Sequence, residues 1–306
     1  MTTYKEINGE NIKAVASDPS NPVDGQIWFN TTVGDVKGFR DYGTGSWSTG
    51  GDLNTGNGSV AGAGTQTAAL KFGGDPNTAN TEAYNGSTWT EVNNLNTARQ
   101  RLAGAGLQTS ALGFGGDDTT AKTELWNGTN WTEVNDLNEA KRDLSGTGAS
   151  NTAVLAFGPS QNTETWNGTN WTEVNNLNTS KPFATGCGTN TAALAFGGQP
   201  SSVATELWNG TNWTELNNMT TGRQRLSGAG TTTAALAFGG GNPNDVALTE
   251  SWNGTNWTEI ADLNTGRSTL GGTGTQPSAL AFGGEPELAA TEEWNLGGLT
   301  VAFTDA

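Results

Sequence analysis

The chain contains no histidine among its 306 residues. Histidine is the general base of Ser-His-Asp and Cys-His hydrolases and a common zinc ligand. The sequence therefore excludes those nucleophile systems and histidine-based zinc sites. A Gly-x-x-x-x-Gly-Lys-[Ser/Thr] loop is also missing, so we expect no nucleotide site and no cofactor.

Cysteine, basic residues and long apolar runs are also scarce. The single cysteine, Cys187, excludes an intrachain disulfide, and Ala or Thr at its position in other repeats predicts a small buried residue. The net charge of −16 opposes binding to nucleic acid and adsorption to anionic membranes. No apolar run approaches the roughly 18 residues of a membrane helix, and the first residues lack the apolar core of a signal peptide. We therefore expect neither a membrane anchor nor an export signal.

Glycine (45 residues), tryptophan (12) and repetition are abundant instead. A short segment recurs in which an aromatic residue precedes a tryptophan by five positions, although the last copy ends on Leu299. The first members of the copies are Tyr42, Tyr84, Trp126, Trp166, Trp208, Trp252 and Trp294, in steps of 42, 42, 40, 42, 44 and 42 residues. A fixed period in this range is typical of a repeat architecture. Since no copy can bury its apolar face alone, we expect one closed domain.

One repeat, residues 97–138, reads as four antiparallel strands. Residues 102–106 are small and apolar, which suits an innermost strand near an axis; 110–114 form a buried second strand, and 123–126 alternate with period two. Asn127-Gly128 predicts a tight hairpin, after which 131–134 return as the outer strand. Trp126 and Trp131 are predicted to pack between repeats. Four such strands are typical of a propeller blade, so the predicted fold class is all-β, a β-propeller.

The number of blades is seven or six. We favour seven, because residues 42–54 parallel residues 84–96 and a phenylalanine closes the second strand seven times, at Phe29, Phe72, Phe114, Phe157, Phe196, Phe238 and Phe282. The predicted division is an N-terminal arm (1–22), a degenerate first blade (23–54) and repeats 55–96, 97–138, 139–178, 179–220, 221–264 and 265–306. Six complete copies from about residue 55 also permit a six-bladed ring with an N-terminal appendage. The arm is a tether or docking segment, or a disordered tail.

Two resemblances add to this interpretation. The Gly-Gly pair after the second strand, as in Gly115-Gly116, and the aromatic residue five positions before tryptophan resemble the kelch repeat, which also builds the central domain of galactose-oxidase-like propellers. The resemblance covers residues 23–306, although Gly158-Pro159 departs from it and the period is shorter than the usual length of about 50. Copper radical chemistry of the galactose-oxidase type needs histidine ligands, so it is excluded. Residues 22–35 resemble N-terminal segments of tail-fibre and other virion proteins of tailed phages, which implies a place in a phage particle.

Carboxylates alone could support glycoside hydrolysis or calcium binding. Asp75, Asp117, Asp118, Asp143 and Asp245 stand at non-repeated positions, but no diagnostic spacing pairs them. The segments 117–118 and 242–245 lack the spaced aspartates of a calcium loop, and the sialidase Asp-box is missing, so turns are the better interpretation. The repeated Asn-Gly-Thr sequons are likewise interpreted as turns and not as glycosylation sites.

The copies differ most just before each innermost strand, where the chain crosses a face near the axis, and in the loops between second and third strands. The triplets before the innermost strands (57–59, 99–101, 141–143, 181–183, 223–225 and 267–269) hold eight of the 14 basic residues: Arg99, Arg101, Lys141, Arg142, Lys181, Arg223, Arg225 and Arg267. For the basic residue that opens five of the triplets (Arg99, Lys141, Lys181, Arg223 and Arg267) we favour pairing with a scaffold glutamate between blades. Kelch domains that bind acidic peptides carry arginines at the similar position, which implies that Arg101 and Arg225 point toward a ligand. Gln100, Gln224, Arg142, Asp143 and Phe183 complete the predicted ligand-binding set, which includes no catalytic or metal-binding residue.

These features favour a non-enzymatic structural or adhesion component of a phage virion, located in the particle, that recognises a host-surface glycan or another virion protein. They leave room for a homo-oligomer. The first alternative is a kelch-type module that binds a peptide or protein, and the second is a glycoside hydrolase.

Overall fold

The structure is a computed structural model, and it describes residues 12–19, 26–41, 45–117, 120–241, 243–296 and 298–303. The chain divides into two compact units, named here the repeat unit (residues 46–295) and the terminal unit (residues 1–45 and 296–306).

Every regular element in the described ranges is a β-strand, and no helix there could cross a membrane. In chain order the strands are β1 (Lys13–Val15), β2 (Ile27–Asn30), β3 (Asp35–Asp41), β4 (Ser46–Thr49), β5 (Ala61–Thr65), β6 (Ala68–Phe72), β7 (Thr81–Tyr84), β8 (Trp89–Val92), β9 (Ala103–Leu107), β10 (Ser110–Phe114), β11 (Thr123–Trp126), β12 (Trp131–Val134), β13 (Ser145–Ser150), β14 (Ala153–Phe157), β15 (Thr163–Trp166), β16 (Trp171–Val174), β17 (Thr185–Gly188), β18 (Ala193–Phe196), β19 (Thr205–Trp208), β20 (Trp213–Leu216), β21 (Ser227–Gly230), β22 (Ala235–Phe238), β23 (Thr249–Trp252), β24 (Trp257–Glu259), β25 (Gly271–Thr275), β26 (Ser278–Phe282), β27 (Thr291–Asn295) and β28 (Gly298–Phe303).

The described strands of the repeat unit form six four-stranded antiparallel sheets. Five sheets follow the chain directly, from β5–β8 to β21–β24, and the sixth has the order β25-β26-β27-β4. Repeated four-stranded antiparallel sheets are consistent with the blades of a β-propeller. The all-β fold class and the strand pattern of the type repeat are confirmed, with the innermost strand starting and ending one residue later than predicted.

The Asn-Gly hairpin of each repeat has a defined local cause. The Oδ1 atom of Asn127 accepts hydrogen bonds from the backbone N–H groups of Thr129 and Asn130, each at 2.9 Å. Gly128 has a φ of +91°, which a residue without a Cβ adopts at little cost. The side chain and the glycine together turn the third strand into the fourth, so Trp126 and Trp131 become cross-strand partners.

Neighbouring sheets of the repeat unit contact each other through the tryptophan of the outer strand. The ring of Trp131 lies 4.8 Å from that of Phe72 in the preceding sheet, and its Nε1 donates to the hydroxyl of Thr81 at 3.1 Å. The prediction that these tryptophans pack between repeats is confirmed. The same aromatic pair recurs as Trp171–Phe114, Trp213–Phe157, Trp257–Phe196, Trp47–Phe238 and Trp89–Phe282.

Glycine in the innermost strands allows the sheets to approach closely. A Cβ on Gly104 would lie 2.5 Å from Cζ of Phe72 in the preceding sheet, so no larger residue fits there. Each innermost strand contacts the next, and β25 of the last sheet contacts β5 of the first.

The pairing divides the predicted first blade, residues 23–54, between the two units. Trp47 of β4 pairs with Trp294, so this N-terminal strand is the outer strand of the last sheet of the repeat unit. The last repeat's own returning strand, β28, pairs instead with β3. The strand pairing thus matches the alternative of six repeats with an N-terminal appendage. In addition, β4 from the N-terminal region completes the sixth sheet.

The terminal unit contains one four-stranded sheet with the order β1-β2-β3-β28, in which β1 is parallel to β2. Part of the predicted N-terminal arm therefore lies in a strand, whereas residues 1–11 and 20–22 of the arm lie outside the described residues. Asp18 accepts hydrogen bonds from Lys37, Asn30 and Trp28 at 2.8, 2.7 and 3.0 Å. These bonds to the charged carboxylate lower the pKa of Asp18 to about 2.

Candidate functional site

Six residues at the ends of the variable triplets share an uncommon backbone conformation. These six, named here the rim residues, have φ values between +53° and +58° and are Ser59, Arg101, Asp143, Phe183, Arg225 and Thr269. The left-handed region is disfavoured for residues with a Cβ, and most strongly for bulky or β-branched ones. The surrounding structure must therefore impose this conformation at the rim.

A closed ring of backbone hydrogen bonds imposes it. Each rim residue donates its N–H to the carbonyl oxygen of the preceding rim residue, and Ser59 completes the circle by donating to Thr269. The N···O distances from Ser59, Arg101, Asp143, Phe183, Arg225 and Thr269 are 2.8, 3.0, 3.1, 3.2, 3.0 and 2.8 Å. This ring places the six side chains around one opening, with Arg101 and Arg225 three positions apart and hence opposite each other.

The rim encloses a small cavity of about 90 Å³. Next to the rim it is lined by the following residue of each repeat, namely Val60, Leu102, Leu144, Ala184, Leu226 and Leu270. The valine and leucine side chains in this set are buried in the hydrophobic core. The side chains that surround the cavity are therefore mainly those of the rim residues.

The charges at the rim are unevenly distributed. The Nε atom of Arg101 lies 3.9 Å from Asp117 and 3.8 Å from Asp143, and Arg142 lies 3.7 Å from the second oxygen of Asp143. Burial raises the pKa of the Asp143 carboxyl, an effect that the positive charges of Arg101 and Arg142 oppose. Arg225 has no such acidic neighbour among the ion pairs of the described residues.

Arg225 instead lies over the ring of Phe183, with its guanidinium carbon 4.8 Å from the ring centroid. This distance suits a cation–π contact. The kelch resemblance implied that Arg101 and Arg225 both point toward a ligand. They lie in different environments, Arg101 beside two carboxylates and Arg225 on an aromatic ring.

Several buried polar atoms near the rim have no hydrogen-bond partner in the described part of the chain. They include Oδ1 of Asp117 and Asp143, Oε1 of Gln100 and Gln224, and Nε of Arg225. Such atoms are costly in a folded protein because they have lost water without gaining a partner.

The structure brings together four members of the predicted set at the cavity, namely Arg101, Asp143, Phe183 and Arg225. Gln100 and Gln224 are adjacent to the rim in sequence and bind neighbouring loops through their backbone, but do not line the cavity; Arg142 is exposed.

The predicted set omitted Ser59 and Thr269, which also line the cavity. The alignment of the triplets could have identified Ser59 and Thr269, since both occupy the third position.

The first triplet residues are scaffold, as favoured from the sequence. Arg99 Nη2 lies 2.9 Å from Glu124 on the third strand of the same sheet, with both side chains buried, so the pair lies within a sheet and not between sheets as expected. The equivalent pairs are Lys141–Glu164, Lys181–Glu206, Arg223–Glu250 and Arg267–Glu292, at 2.8, 3.5, 3.0 and 3.0 Å.

Among the candidate acids that the structure describes, Asp117 and Asp143 lie at the rim, 3.9 and 3.8 Å from the same Nε atom of Arg101. Asp75 and Asp245 take part in isolated backbone bridges with Gly58 and Gly241, as turn residues do, and Asp118 lies outside the described residues. Within the described ranges, no group of three or more acidic or cysteine side chains could hold a metal ion.

Cys187 lies in an innermost strand, where it lines a space of about 120 Å³ on the axis with glycine, alanine and threonine residues. Its side chain is buried, and burial raises the thiol pKa to about 12. The prediction of a small buried residue is confirmed.

No protein-family model matches the chain, and no curated protein matches its sequence. The proposed function therefore rests on the geometry of the rim residues and on the sequence.

Proposed function

We propose that the repeat unit is a six-bladed, kelch-like propeller that binds a ligand at its rim without chemical conversion, as a structural or adhesion component of a phage virion. The proposed ligand is a host-surface glycan, and the first alternative is another virion protein or a peptide. The virion location rests on the resemblance of residues 22–35 to phage tail-fibre and virion proteins.

The observation that carries the binding proposal is the identity of the rim residues. Glycine occupies most left-handed positions of the described chain, yet none of the six rim positions. A scaffold without a ligand would favour glycine there, because glycine adopts positive φ at little cost. Side chains kept at such strained positions commonly serve function.

The environment of Arg101 favours a glycan over a strongly acidic peptide. Its guanidinium already faces two carboxylates, Asp117 and Asp143, which would repel an anionic partner. The side-chain amide oxygens of Gln100 and Gln224 beside the rim have no hydrogen-bond partner in the described chain, and such oxygens accept hydrogen bonds from sugar hydroxyl groups.

A second candidate function is glycoside hydrolysis. It is favoured by the approach of Asp117 and Asp143 to one guanidinium and by the raised pKa of Asp143, because glycosidases use one carboxyl as a general acid. Release of reducing sugar from a bound polysaccharide, abolished by Asp143→Asn, would establish this candidate in place of simple binding.

The test of the proposed function is a glycan array and a pull-down with virion proteins, using the wild type and an Arg101→Ala/Arg225→Ala variant. The control variant Lys13→Ala/Lys122→Ala removes the same charge from positions outside the rim. We expect partner binding to be lost in the rim variant and kept in the control. Partner binding that survives in the rim variant would refute a binding role for these arginines.

A further inference from the structure

We propose that the side chains of Lys71 and Asn57 join spontaneously in an intramolecular isopeptide bond, with release of ammonia. The cross-link lies in the scaffold of the first repeat and does not depend on what the rim binds. The structure holds the two side chains before this reaction, with the lysine amine against the asparagine amide. The titration of Lys71 belongs to this unlinked state.

Two residues of the first repeat depart together from the pattern of the other five. The other repeats open their triplet with a basic residue, where the first repeat has Asn57. At the second-strand position of Lys71 the other repeats have a small residue, namely Gly113, Ala156, Ala195, Ala237 and Ala281. The two exceptions meet, because Nζ of Lys71 donates to Oδ1 of Asn57 at 2.7 Å. An amine, which is a nucleophile, thus faces an amide in the first repeat.

The two groups are close enough to react. The C=O bond of an amide is about 1.23 Å long, so Cγ of Asn57 lies within about 4 Å of the lysine nitrogen, given the bond to Oδ1. Nδ2 of Asn57 donates to the backbone carbonyl of Asp75 at 3.2 Å, which holds the amide in place. A short movement of the amine from the oxygen to the carbon then gives the separation of about 3–3.5 Å from which such attacks start.

The burial of this pair favours the reaction. Lys71 is 0 % exposed and Asn57 is 2 % exposed, so water that would hydrolyse the amide is kept away. Burial also lowers the pKa of Lys71 to about 8, so a fraction of the side chain is the neutral amine. In the described chain the amine has Asn57 as its hydrogen-bond partner, although an ammonium carries three N–H donors. Formation of a neutral amide removes this poorly satisfied buried charge.

The step balances without any further reactant. Nζ of the neutral amine attacks Cγ of Asn57, the Nζ–Cγ bond forms and the Cγ–Nδ2 bond breaks. One proton of the amine moves to Nδ2, which leaves as ammonia. Glu82, the buried cross-strand partner of Lys71, attracts the ammonium and accepts its proton before the attack.

The experiment is mass spectrometry of tryptic peptides from the full chain, which is incubated at neutral pH for several days and then denatured. Trypsin does not cleave after an acylated lysine. We therefore expect one peptide spanning residues 41–99, lighter by one ammonia molecule, in place of the peptides 41–71 and 72–99. Lys141, which is also buried but lies 2.8 Å from the carboxylate of Glu164, is the internal control and should still be cleaved.

Three variants test the roles of the residues, each first shown to unfold cooperatively in urea. Lys71→Met and Asn57→Ala should yield peptides of full mass over the same region. Glu82→Gln should form the cross-link at least about a hundredfold more slowly, because it lacks the base.

Several results would overturn the proposal. In the wild type, peptides 41–71 and 72–99 at full mass would show that no bond forms. Loss of ammonia that persists in Lys71→Met would show that the backbone nitrogen of Gly58, and not the lysine, has attacked Asn57. Conversion of Asn57 to aspartate would show that water reaches the amide. An unchanged rate in Glu82→Gln would exclude Glu82 as the base.

Discussion

Replacing Thr269 by glycine is expected to stabilise the protein, although the change removes a half-buried side chain. Thr269 has a φ of +53°, and both of its ring hydrogen bonds are made by the backbone, so glycine can keep them. A β-branched residue in the left-handed region costs about 2 kcal/mol. The strain released by the substitution is therefore the main favourable effect.

Two effects oppose that gain. Glycine has more freedom in the unfolded chain, which costs about 0.5–1 kcal/mol. The hydroxyl of Thr269 also donates to the carbonyl of Ser268 at 2.8 Å, and loss of such a partly exposed bond costs about 0.5 kcal/mol. The balance leaves Thr269→Gly more stable than the wild type by roughly 0.5–1 kcal/mol.

The matched control is Thr275→Gly on the following strand, where the threonine is exposed and its backbone is that of an ordinary strand. There the same substitution should destabilise the protein by about 1 kcal/mol, because glycine weakens a strand and no strain is released. Urea unfolding followed by tryptophan fluorescence measures both variants. They are compared when the unfolding free energy depends equally steeply on urea concentration in each. If Thr269→Gly lowers the free energy of unfolding as much as Thr275→Gly does, the rim is not strained. The rim side chains would then need no functional reason to occupy these positions.

Two further predictions concern the scaffold. Gly104→Ala should lower the free energy of unfolding by at least about 1–3 kcal/mol, because its Cβ would lie 2.5 Å from the Phe72 ring; Gly241→Ala, with nothing closer than 3.6 Å, is the control and should change it little. Burial lowers the pKa of Lys71 from 10.5 to about 8, so the unfolded chain holds more protons at this residue between those values. The stability of the wild type relative to Lys71→Met should therefore rise with pH across that window in urea titrations, and a constant difference would contradict the assignment. Adding Asn57→Arg to Lys71→Ala should restore part of the stability that Lys71→Ala loses, which a double-mutant cycle measures.

The strands of the repeat could be predicted because their causes are local. The hairpin at Asn127-Gly128, the alternation before it and the small residues of the innermost strand all act within one repeat. Trp47 shows the limit of such signals. Its segment resembles the one ending at Trp89, and both tryptophans are outer-strand residues that contact a phenylalanine of another sheet. The sequence could not show that Trp47 pairs with Trp294, because nothing local selects a partner so far along the chain.

The rim was located by sequence variation, but its geometry was not predictable. Arginine, aspartate and phenylalanine carry no signal for positive φ, which is usually marked by glycine or asparagine. The different surroundings of Arg101 and Arg225 depend on Asp117 and Phe183, which reach the rim from other loops or other repeats. The closed ring of backbone hydrogen bonds brings the two arginines and Phe183 together, and the bond from Asp117 N to Gln100 O at 2.9 Å brings Asp117 beside them.

The first repeat explains how the rim can vary while the scaffold stays constant. The buried Glu82 accepts a hydrogen bond from the backbone N–H of Asn54 at 2.8 Å, as Glu124 does from Asn96 at 2.7 Å. Each sheet thus keeps a buried carboxylate that binds the backbone of the segment before the innermost strand. A buried carboxylate needs a compensating charge. Five repeats supply it from the first triplet residue, whereas the first repeat has Asn57 there and supplies it from Lys71, whose Nζ donates to Asn57 at 2.7 Å. The fold therefore requires a cation beside the glutamate but not at a particular position of the chain. Since that requirement is met two residues before the rim in five repeats and from the second strand in the first repeat, the third triplet residue has no scaffold role in any of them, and its side chain is free to serve recognition.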